Sequence, residues 1–170
     1  MITPQFIAPK RIAVIGASEN IAKPGGKVLQ NLLEGKFSGT LYAVNKKHIQ
    51  IEGIQYVSAI EDLPDIDLAI IAIPANQCVD AVAQLIAKKA RAFIVYSAGF
   101  SEAGSEGAAI EKQLVAMVNS AGATLIGPNC IGVINVTYKG VFTTPVPQYH
   151  TLGCELVSSS GATAVFIMES

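Results

Sequence analysis

The chain has 170 residues, of which 51% are hydrophobic, and its 12 basic and 13 acidic side chains leave a formal net charge of −1. This length is enough for one complete hydrophobic core and a small additional segment. The balanced charge excludes a generally basic surface for nucleic acid. No apolar run approaches the roughly 18 residues of a membrane span, and the amino terminus lacks the features of a signal peptide. We therefore expect a cytoplasmic protein that binds neither nucleic acid nor membrane.

Short runs of apolar residues, rich in valine and isoleucine, predict β-strands that are buried on both faces. These runs are 11–16, 41–45, 68–73, 93–97 and 124–127. Segments 26–33, 76–90 and 106–121 place their apolar residues on one helical face, as a helix packed on a sheet does. Strands that alternate with helices through short connections predict an α/β fold, a Rossmann-like doubly wound parallel sheet. Ligands of such sheets bind at the carboxyl ends of the strands.

The first predicted strand ends in a glycine-rich junction, Gly16-Ala17-Ser18, and Gly25-Gly26 opens the next helix. Such a junction directs backbone N–H groups and the positive end of a helix at an anion. The GxGxxG spacing of an NAD loop is absent, because Ser18 and Ile21 stand where it needs glycines. The junction therefore predicts a phosphate-binding loop of a different kind.

The second predicted strand is followed by Asn45-Lys46-Lys47-His48. An NAD enzyme would place an acidic residue here to accept a hydrogen bond from the ribose. Two lysines instead favour a ribose that carries its own phosphate, and both NADP and coenzyme A (CoA) fit that description. An ordinary solvated turn is the alternative interpretation.

The cysteines and histidines indicate neither a metal site nor a catalytic pair. The 3 cysteines, Cys78, Cys130 and Cys154, lie far apart and form no CxxC motif, which is typical of reduced thiols. Cys130 follows the fifth predicted strand, but neither His48 nor His150 has an evident carboxylate partner that would make it a base. We therefore expect no metal site, and we expect Cys130 to be a buried structural thiol.

A set of motifs follows the predicted strands and helices in a fixed order: Gly16-Ala17-Ser18 with Gly25-Gly26, segment 29–35, Val44-Asn45-Lys46-Lys47, Ile73-Pro74-Ala75, Ser97-Ala98-Gly99-Phe100 and Gly127-Pro128-Asn129-Cys130-Ile131-Gly132. Together they resemble the CoA-binding domain of nucleoside-diphosphate-forming acyl-CoA synthetases. That group includes ADP-forming acetate–CoA ligase and the α subunit of succinyl-CoA synthetase. The resemblance covers residues 8–170.

The resemblance implies a set of CoA-binding residues: Gly16, Ala17, Ser18, Gly25, Gly26, Asn45, Lys46, Lys47, Ile73, Pro74, Ala75, Tyr96, Ser97, Ala98 and Gly99. The glycine loop would surround the phosphates, and a lysine after the second strand would meet the charged end of CoA. Many family members have proline where this chain has Lys46, so which of Lys46 and Lys47 reaches the ligand stays open. Asn129 would face substrate or phosphate at the reaction centre.

The resemblance also implies a division of the chain into domains. Residues 1–145 would be the CoA-binding domain, 146–153 a linker, and 154–170 a new strand and helix start of a truncated, succinyl-CoA ligase-like domain. In the last segment Ser158, Ser160 and Gly161 resemble the loop that supports a phosphorylated histidine. Neither His48 nor His150 matches that histidine, so the resemblance implies no catalytic residue in this chain.

The complete enzyme of this family is an acid–CoA ligase that acts through the phosphohistidine. It would use ATP or ADP with Mg²⁺, none of which this chain would bind, and it would need downstream domains or an ATP-grasp β subunit. A homo-oligomer and the identity of the acyl group are left open. Two alternatives remain: a non-catalytic, regulatory CoA-binding module, and an NADP-dependent oxidoreductase, against which stands the absence of GxGxxG and of an identifiable hydride-transfer acid.

Overall fold

The computed structural model describes residues 2–144, 146 and 156–169. The strands of the main sheet are β1 Arg11–Ile15, β2 Thr40–Val44, β3 Ile54–Val57, β4 Leu68–Ile71, β5 Ala92–Val95 and β6 Thr124–Ile126. They form one 6-stranded sheet in the order β3-β2-β1-β4-β5-β6, and every neighbouring pair is parallel. This order is that of a Rossmann fold. From β1 the chain builds the sheet outward on one side with β2 and β3, and then on the other side with β4, β5 and β6.

The helices are α1 Pro4–Ile7, α2 Pro24–Glu34, α3 Ala75–Ala87, α4 Ser105–Ser120 and α5 Gly161–Glu169, with 3-10 turns at Ile60–Asp62 and Ser101–Ala103. Two further strands, β7 Gly132–Ile134 and β8 Lys139–Val141, form an antiparallel hairpin. Asn31 attaches α2 to the end of this hairpin, because its amide donates to the carbonyl oxygens of Val141 (2.7 Å) and Thr143 (3.0 Å). No helix among the described residues is long and apolar enough to cross a membrane.

Successive side chains of the central strands point to opposite sides of the sheet, and helices cover both sides. On one face Ile15, Ile71 and Phe93 pack against Leu85 of α3 and Leu114 of α4. On the other face the packing partners are Ile12, Val14, Ile70 and Ile94 of the strands, Leu29 and Leu32 of α2, and Tyr138 before β8. The sheet is thus a rigid base for the loops that follow its strands.

The five predicted strands of this sheet and the three predicted helices packed on it are confirmed, with boundaries that differ by a few residues. α1, β3 and the β7–β8 hairpin were not predicted. The predicted start of a helix near Gly161 is confirmed. The strand expected just before it is not formed at Leu156 and Val157, and its first residues lie outside the described part of the chain, as does most of the expected linker 146–153. The division into domains stays a prediction.

Candidate functional site

The loops that follow β1, β2, β4, β5 and β6 meet at one side of the sheet. We call this side the carboxyl edge and define it by five segments: 16–23, 45–48, 72–75, 96–100 and 127–130. Because the strand order reverses between β1 and β4, the loops after these two strands diverge. Ligands of open α/β sheets bind in the crevice between such loops. The motifs predicted to bind CoA after the strands therefore lie together at this edge.

The glycines of the first loop are required by close packing. Gly16 has φ of +82°, and a side chain there would collide with the carbonyl of Ala72. A Cβ at Gly25 would collide with the carbonyl oxygen of Gly16, and one at Gly26 with that of Asn20. Gly25 and Gly26 are both buried. These glycines therefore let the loop lie directly on the first turn of α2.

The backbone N–H groups of Gly16 and Ala17 in the glycine loop already have a partner in this structure. Both N–H groups donate to the carbonyl oxygen of Val44 in β2, at 3.0 and 3.3 Å. The following N–H groups of Ser18 and Glu19 have no acceptor among the described residues. Of Gly16, Ala17 and Ser18, which were predicted to surround the phosphates, Ser18 therefore keeps an N–H group available to an anion, and the N–H of Glu19 is a further donor beside it.

The segment between Ser18 and Lys23 is shaped by its own side chains. The Ser18 Oγ accepts from the N–H of Asn20 (3.1 Å), and the Asn20 Oδ1 accepts from the N–H of Ala22 (2.9 Å). These turns carry the chain to Lys23 at the start of α2. A cavity of about 500 Å³ opens here, lined by Ile21, Ala22, Lys23, Pro24, Lys27 and Phe142. The sequence analysis missed Lys23 and Lys27, although the run Lys-Pro-Gly-Gly-Lys was a readable signal.

Asn45 joins the loop after β2 to the glycine loop. Its Nδ2 donates to the carbonyl oxygen of Ala17 (2.7 Å), and its Oδ1 accepts from the N–H of Lys47 (2.9 Å). Lys46 and Lys47 are exposed, and neither forms an ion pair with a described carboxylate. A second link comes from Glu19, whose Oε1 accepts from the N–H of Gln50 (2.8 Å). The two exposed lysines thus follow directly on a residue that is bonded to the glycine loop.

The spacing of Tyr42 and Lys46 is that of the Tyr-x-x-x-Lys pair of some reductases, which needs a helix to bring both side chains to one face. Here Tyr42 lies in strand β2 and is buried, at 8% exposure. Lys46 lies beyond the end of that strand and is exposed. Because the segment is not helical, this pair has no geometry for hydride-transfer chemistry.

The loops after β4, β5 and β6 are connected by hydrogen bonds. The Ser97 hydroxyl donates to the carbonyl oxygen of Ile73, and the N–H of Asn129 donates to the carbonyl oxygen of Ser97 (3.0 Å). Pro74 is exposed and directly precedes α3. Ala98 is exposed and Gly99 half-buried beside them. The residues that form this half of the carboxyl edge are therefore small and uncharged.

Tyr96 belongs to the core and not to the surface of the edge. Its side chain is 6% exposed, its hydroxyl donates to the carbonyl oxygen of Gly140 (2.9 Å), and its ring meets that of Phe142 at 4.8 Å. Burial raises the pKa of this phenol well above its ordinary value. The side chain of Tyr96 supports the β7–β8 hairpin, and the CoA contact expected of this residue stays a prediction.

The turn after β6 presents Asn129 at the edge. Gly127–Pro128 is a cis peptide, and Asn129 has φ of +54° and is exposed. Cys130 is turned inward, with its Sγ 3.3 Å from the carbonyl oxygen of Val95. Burial raises the pKa of the Cys130 thiol to about 11, so the thiol is protonated at neutral pH, as expected for a structural cysteine.

The start of α5 lies close to this turn. Ser160 directly precedes the helix and its Oγ accepts from the N–H of Thr163 (3.3 Å), while the Ser158 Oγ accepts from the N–H of Ser160 (3.1 Å). A Cβ at Gly161 would lie 2.7 Å from the Ile131 side chain, and Ile131 is two residues beyond Asn129. The residues predicted to support a phosphate are thus brought near Asn129.

The one described histidine, His48, is not part of a cluster of metal-binding side chains. His48 is exposed and its ring meets that of Tyr56 edge-on at 4.7 Å, while His150 lies outside the described residues. No group of three or more His, Cys, Asp or Glu within the described part of the chain could hold a metal ion.

Comparison with known proteins finds similar sequences within longer chains. A family model for a CoA binding domain matches residues 10–136. The ADP-forming acetate–CoA ligase I of Archaeoglobus fulgidus is 39% identical over 164 residues, which are 95% of this chain and 23% of that protein. The α subunit of the ADP-forming acetate–CoA ligase II of Pyrococcus furiosus is 34% identical over 158 residues, which are 92% of this chain and 34% of that subunit.

The fold has solved counterparts. The dinucleotide forming acetyl-coenzyme A synthetase 1 of Candidatus Korarchaeum cryptofilum, in complex with phosphate and ADP, superposes with a TM-score of 0.82 at 25% identity. The match covers 97% of this chain and 35% of that one. The chain therefore spans 23% to 35% of the length of these three proteins.

Proposed function

Because the chain belongs to the family of CoA-binding domains of nucleoside-diphosphate-forming acyl-CoA synthetases, we propose that it holds CoA along its carboxyl edge in one direction. The phosphates lie over β1 and β2, and the pantetheine arm runs over β4 and β5 towards Asn129. The residues along the edge support this direction.

The observation that carries it is the uneven distribution of charge along the edge. At the β1–β2 end, Lys46 and Lys47 are exposed without a carboxylate partner among the described residues. The preceding Asn45 is bonded both to the Ala17 carbonyl oxygen of the glycine loop and to the N–H of Lys47. An ammonium group and a backbone N–H are donors that a phosphate accepts. At the β4–β5 end the exposed residues are Pro74 and Ala98, which suit an uncharged arm.

For the complete protein we propose an acid–CoA ligase in which this domain is the CoA-binding part. The chain spans 23% of the length of one relative named as an ADP-forming acetate–CoA ligase and 34% of an α subunit. Further domains or an ATP-grasp β subunit would supply the phosphohistidine and the site for ATP or ADP with Mg²⁺. Asn129 and the start of α5, with Ser158 and Ser160, would face the phosphate at the thiol end of CoA.

Calorimetric titration of the chain with CoA, dephospho-CoA and NADP tests the proposal. We expect CoA to bind and dephospho-CoA to bind more weakly by about 1–3 kcal/mol, the contribution of charge-assisted contacts to the 3′-phosphate. Binding of NADP without binding of CoA would contradict the proposal and support the oxidoreductase. For the complete protein, release of ATP from acyl-CoA, ADP and phosphate separates a ligase from a regulatory module.

A further inference from the structure

The loop after β5 has its backbone N–H groups bound by two carboxylates. The Glu102 Oε1 accepts from the N–H of Gly99 (2.6 Å) and of Phe100 (3.2 Å). The N–H of the next residue, Ser101, donates to the Glu111 Oε2 (3.0 Å). Gly99 has φ of +101°, which turns its N–H towards the carboxylate. These N–H groups form an anion-binding concavity that the chain fills with its own side chain.

The two ends of this loop are fixed by other means. At one end the Ser97 hydroxyl donates to the Ile73 carbonyl oxygen. At the other end Phe100 is completely buried, and its carbonyl lies so close to Gly107 of α4 that a Cβ at Gly107 would collide with it. The carbonyl oxygen of Gly99 also lies against Gly107, whereas Ala98 makes no hydrogen bond to another described residue. The Glu102 carboxylate is the group that closes this part of the loop.

The charge state of Glu102 agrees with this role. The hydrogen bond from the N–H of Gly99 is the main reason why the pKa of its carboxyl lies below the ordinary value of 4.5. The side chain is therefore ionised at neutral pH, when its hydrogen bonds to N–H groups are charge-assisted and strong.

We propose that Glu102 is a positioning residue for CoA. Its carboxylate shapes Ala98 and Gly99 into the wall beside the pantetheine arm, and it occupies the N–H groups that would otherwise attract a phosphate to the β5 end of the edge. It thereby directs the phosphates of CoA to the lysines at the β1–β2 end. The inference rests on the proposed function, since it assigns a role in binding the same ligand.

The test compares CoA binding by the wild-type chain and the variants E102A, E102Q and E106A. Glu106 lies nearby in the first turn of α4 and is exposed, so E106A is a control for the loss of one negative charge. We expect E102A to bind CoA about fivefold to tenfold more weakly, the effect of one or two charge-assisted hydrogen bonds at a solvent-exposed site. E102Q keeps an acceptor oxygen and should regain most of the affinity, and E106A should bind like wild type.

The amide resonances of Gly99 and Phe100 give a second readout that a general loss of stability would not produce. In the wild-type chain both should shift with pH as Glu102 titrates, with a midpoint below 4.5, and in E102Q neither should. If the wild-type chain binds CoA and E102A binds it equally well, or if the two resonances titrate in E102Q as in wild type, this inference is wrong and the proposed function stands. If the wild-type chain does not bind CoA, the proposed function itself fails and takes this inference with it.

Discussion

Asn45 illustrates at the scale of one residue why sequence motifs locate a site better than they describe it. The sequence predicted Asn45 to contact CoA, and its position at the carboxyl edge is as expected. Its side-chain donor is already bound to the Ala17 carbonyl oxygen and its acceptor to the Lys47 N–H. It therefore joins the loop after β2 to the glycine loop. A sequence motif shows which residue stands at a position. The hydrogen-bond partners that make this residue type necessary are visible only in the tertiary structure.

The double replacement of Lys46 and Lys47 by alanine should weaken CoA binding. Both ammonium groups are exposed and without a carboxylate among the described residues, so they are available to a phosphate. We expect a loss of about 1–2 kcal/mol for CoA and a smaller loss for dephospho-CoA, measured by calorimetry. Lys112 on α4 is an exposed lysine away from the edge, and K112A is the control. Equal losses in the two variants would show that the effect is one of overall charge.

Replacement of Gly25 by alanine tests the packing of the glycine loop. The new Cβ would collide with the carbonyl oxygen of Gly16, so the loop would have to move off α2, at a cost of about 1–3 kcal/mol in the free energy of unfolding. Gly122 is the comparison, because it has φ of +62° and a Cβ there would meet no atom within 4 Å. G122A should cost about 1 kcal/mol through backbone strain alone and leave CoA binding unchanged. Urea unfolding and CoA titration of both variants measure the two effects.

At the scale of elements, the sequence predicted five of the six strands of the main sheet and missed β3 and the two strands of the hairpin. β1, β4 and β5 are continuous apolar runs, a pattern that indicates a parallel strand under two layers of helices. β3 is at the edge of the sheet and only partly buried. β7 and β8 have 3 residues each, too few to show a period. These short elements form because tertiary contacts stabilise them, such as the bonds from Asn31 to the hairpin.

Replacement of Asn31 by leucine should loosen the attachment of the hairpin to α2. The carbonyl oxygens of Val141 and Thr143 would lose the Asn31 amide donor, and burying them without a partner costs about 1–3 kcal/mol. We expect this loss in the free energy of unfolding measured in urea. Among the described residues, the neighbouring Gln30 bonds only within α2, to Glu34 and Lys27, so Q30L should change stability by less than about 0.5 kcal/mol. Similar losses in both variants would argue against a specific role for Asn31.

The loop after β5 should make stability depend on pH through Glu102. Its pKa is lowered in the folded chain, first by the N–H of Gly99. Stability from this group is therefore fully present above the ordinary value of 4.5 and is lost as pH falls through the lower folded value. The difference in unfolding free energy between wild type and E102Q should shrink between neutral pH and pH below 4.5. A difference that stays constant over this range would mean that the Glu102 charge does not support the loop.

At the scale of the whole molecule, the strand order brings the motifs to one edge of the sheet. The lysines after β2 lie at one end of this edge, and the small uncharged residues after β4 and β5 lie at the other. The sequence predicted the Rossmann-like sheet and its CoA-binding family, because strand type and motif order are local properties. It did not predict that β2 would take up the N–H groups of Gly16 and Ala17, or that Tyr96 would turn into the core. Both depend on the register between distant segments. Glu102 was missed although it follows Gly99 by only three residues, because its hydrogen bond to the Gly99 N–H depends on the loop conformation, in which Gly99 has φ of +101°.

An NMR titration of the ¹⁵N-labelled chain with CoA tests the central claim most directly, because it locates the ligand on the molecule. We expect the largest shifts at the amides of Ser18, Glu19, Lys46 and Lys47 and a second group at Ala98 and Gly99. Dephospho-CoA should reduce the shifts at the lysines and leave those at Ala98 and Gly99. Shifts confined to residues away from the carboxyl edge, such as Lys112 and Asn119 of α4, or no shifts at millimolar CoA, would contradict the account.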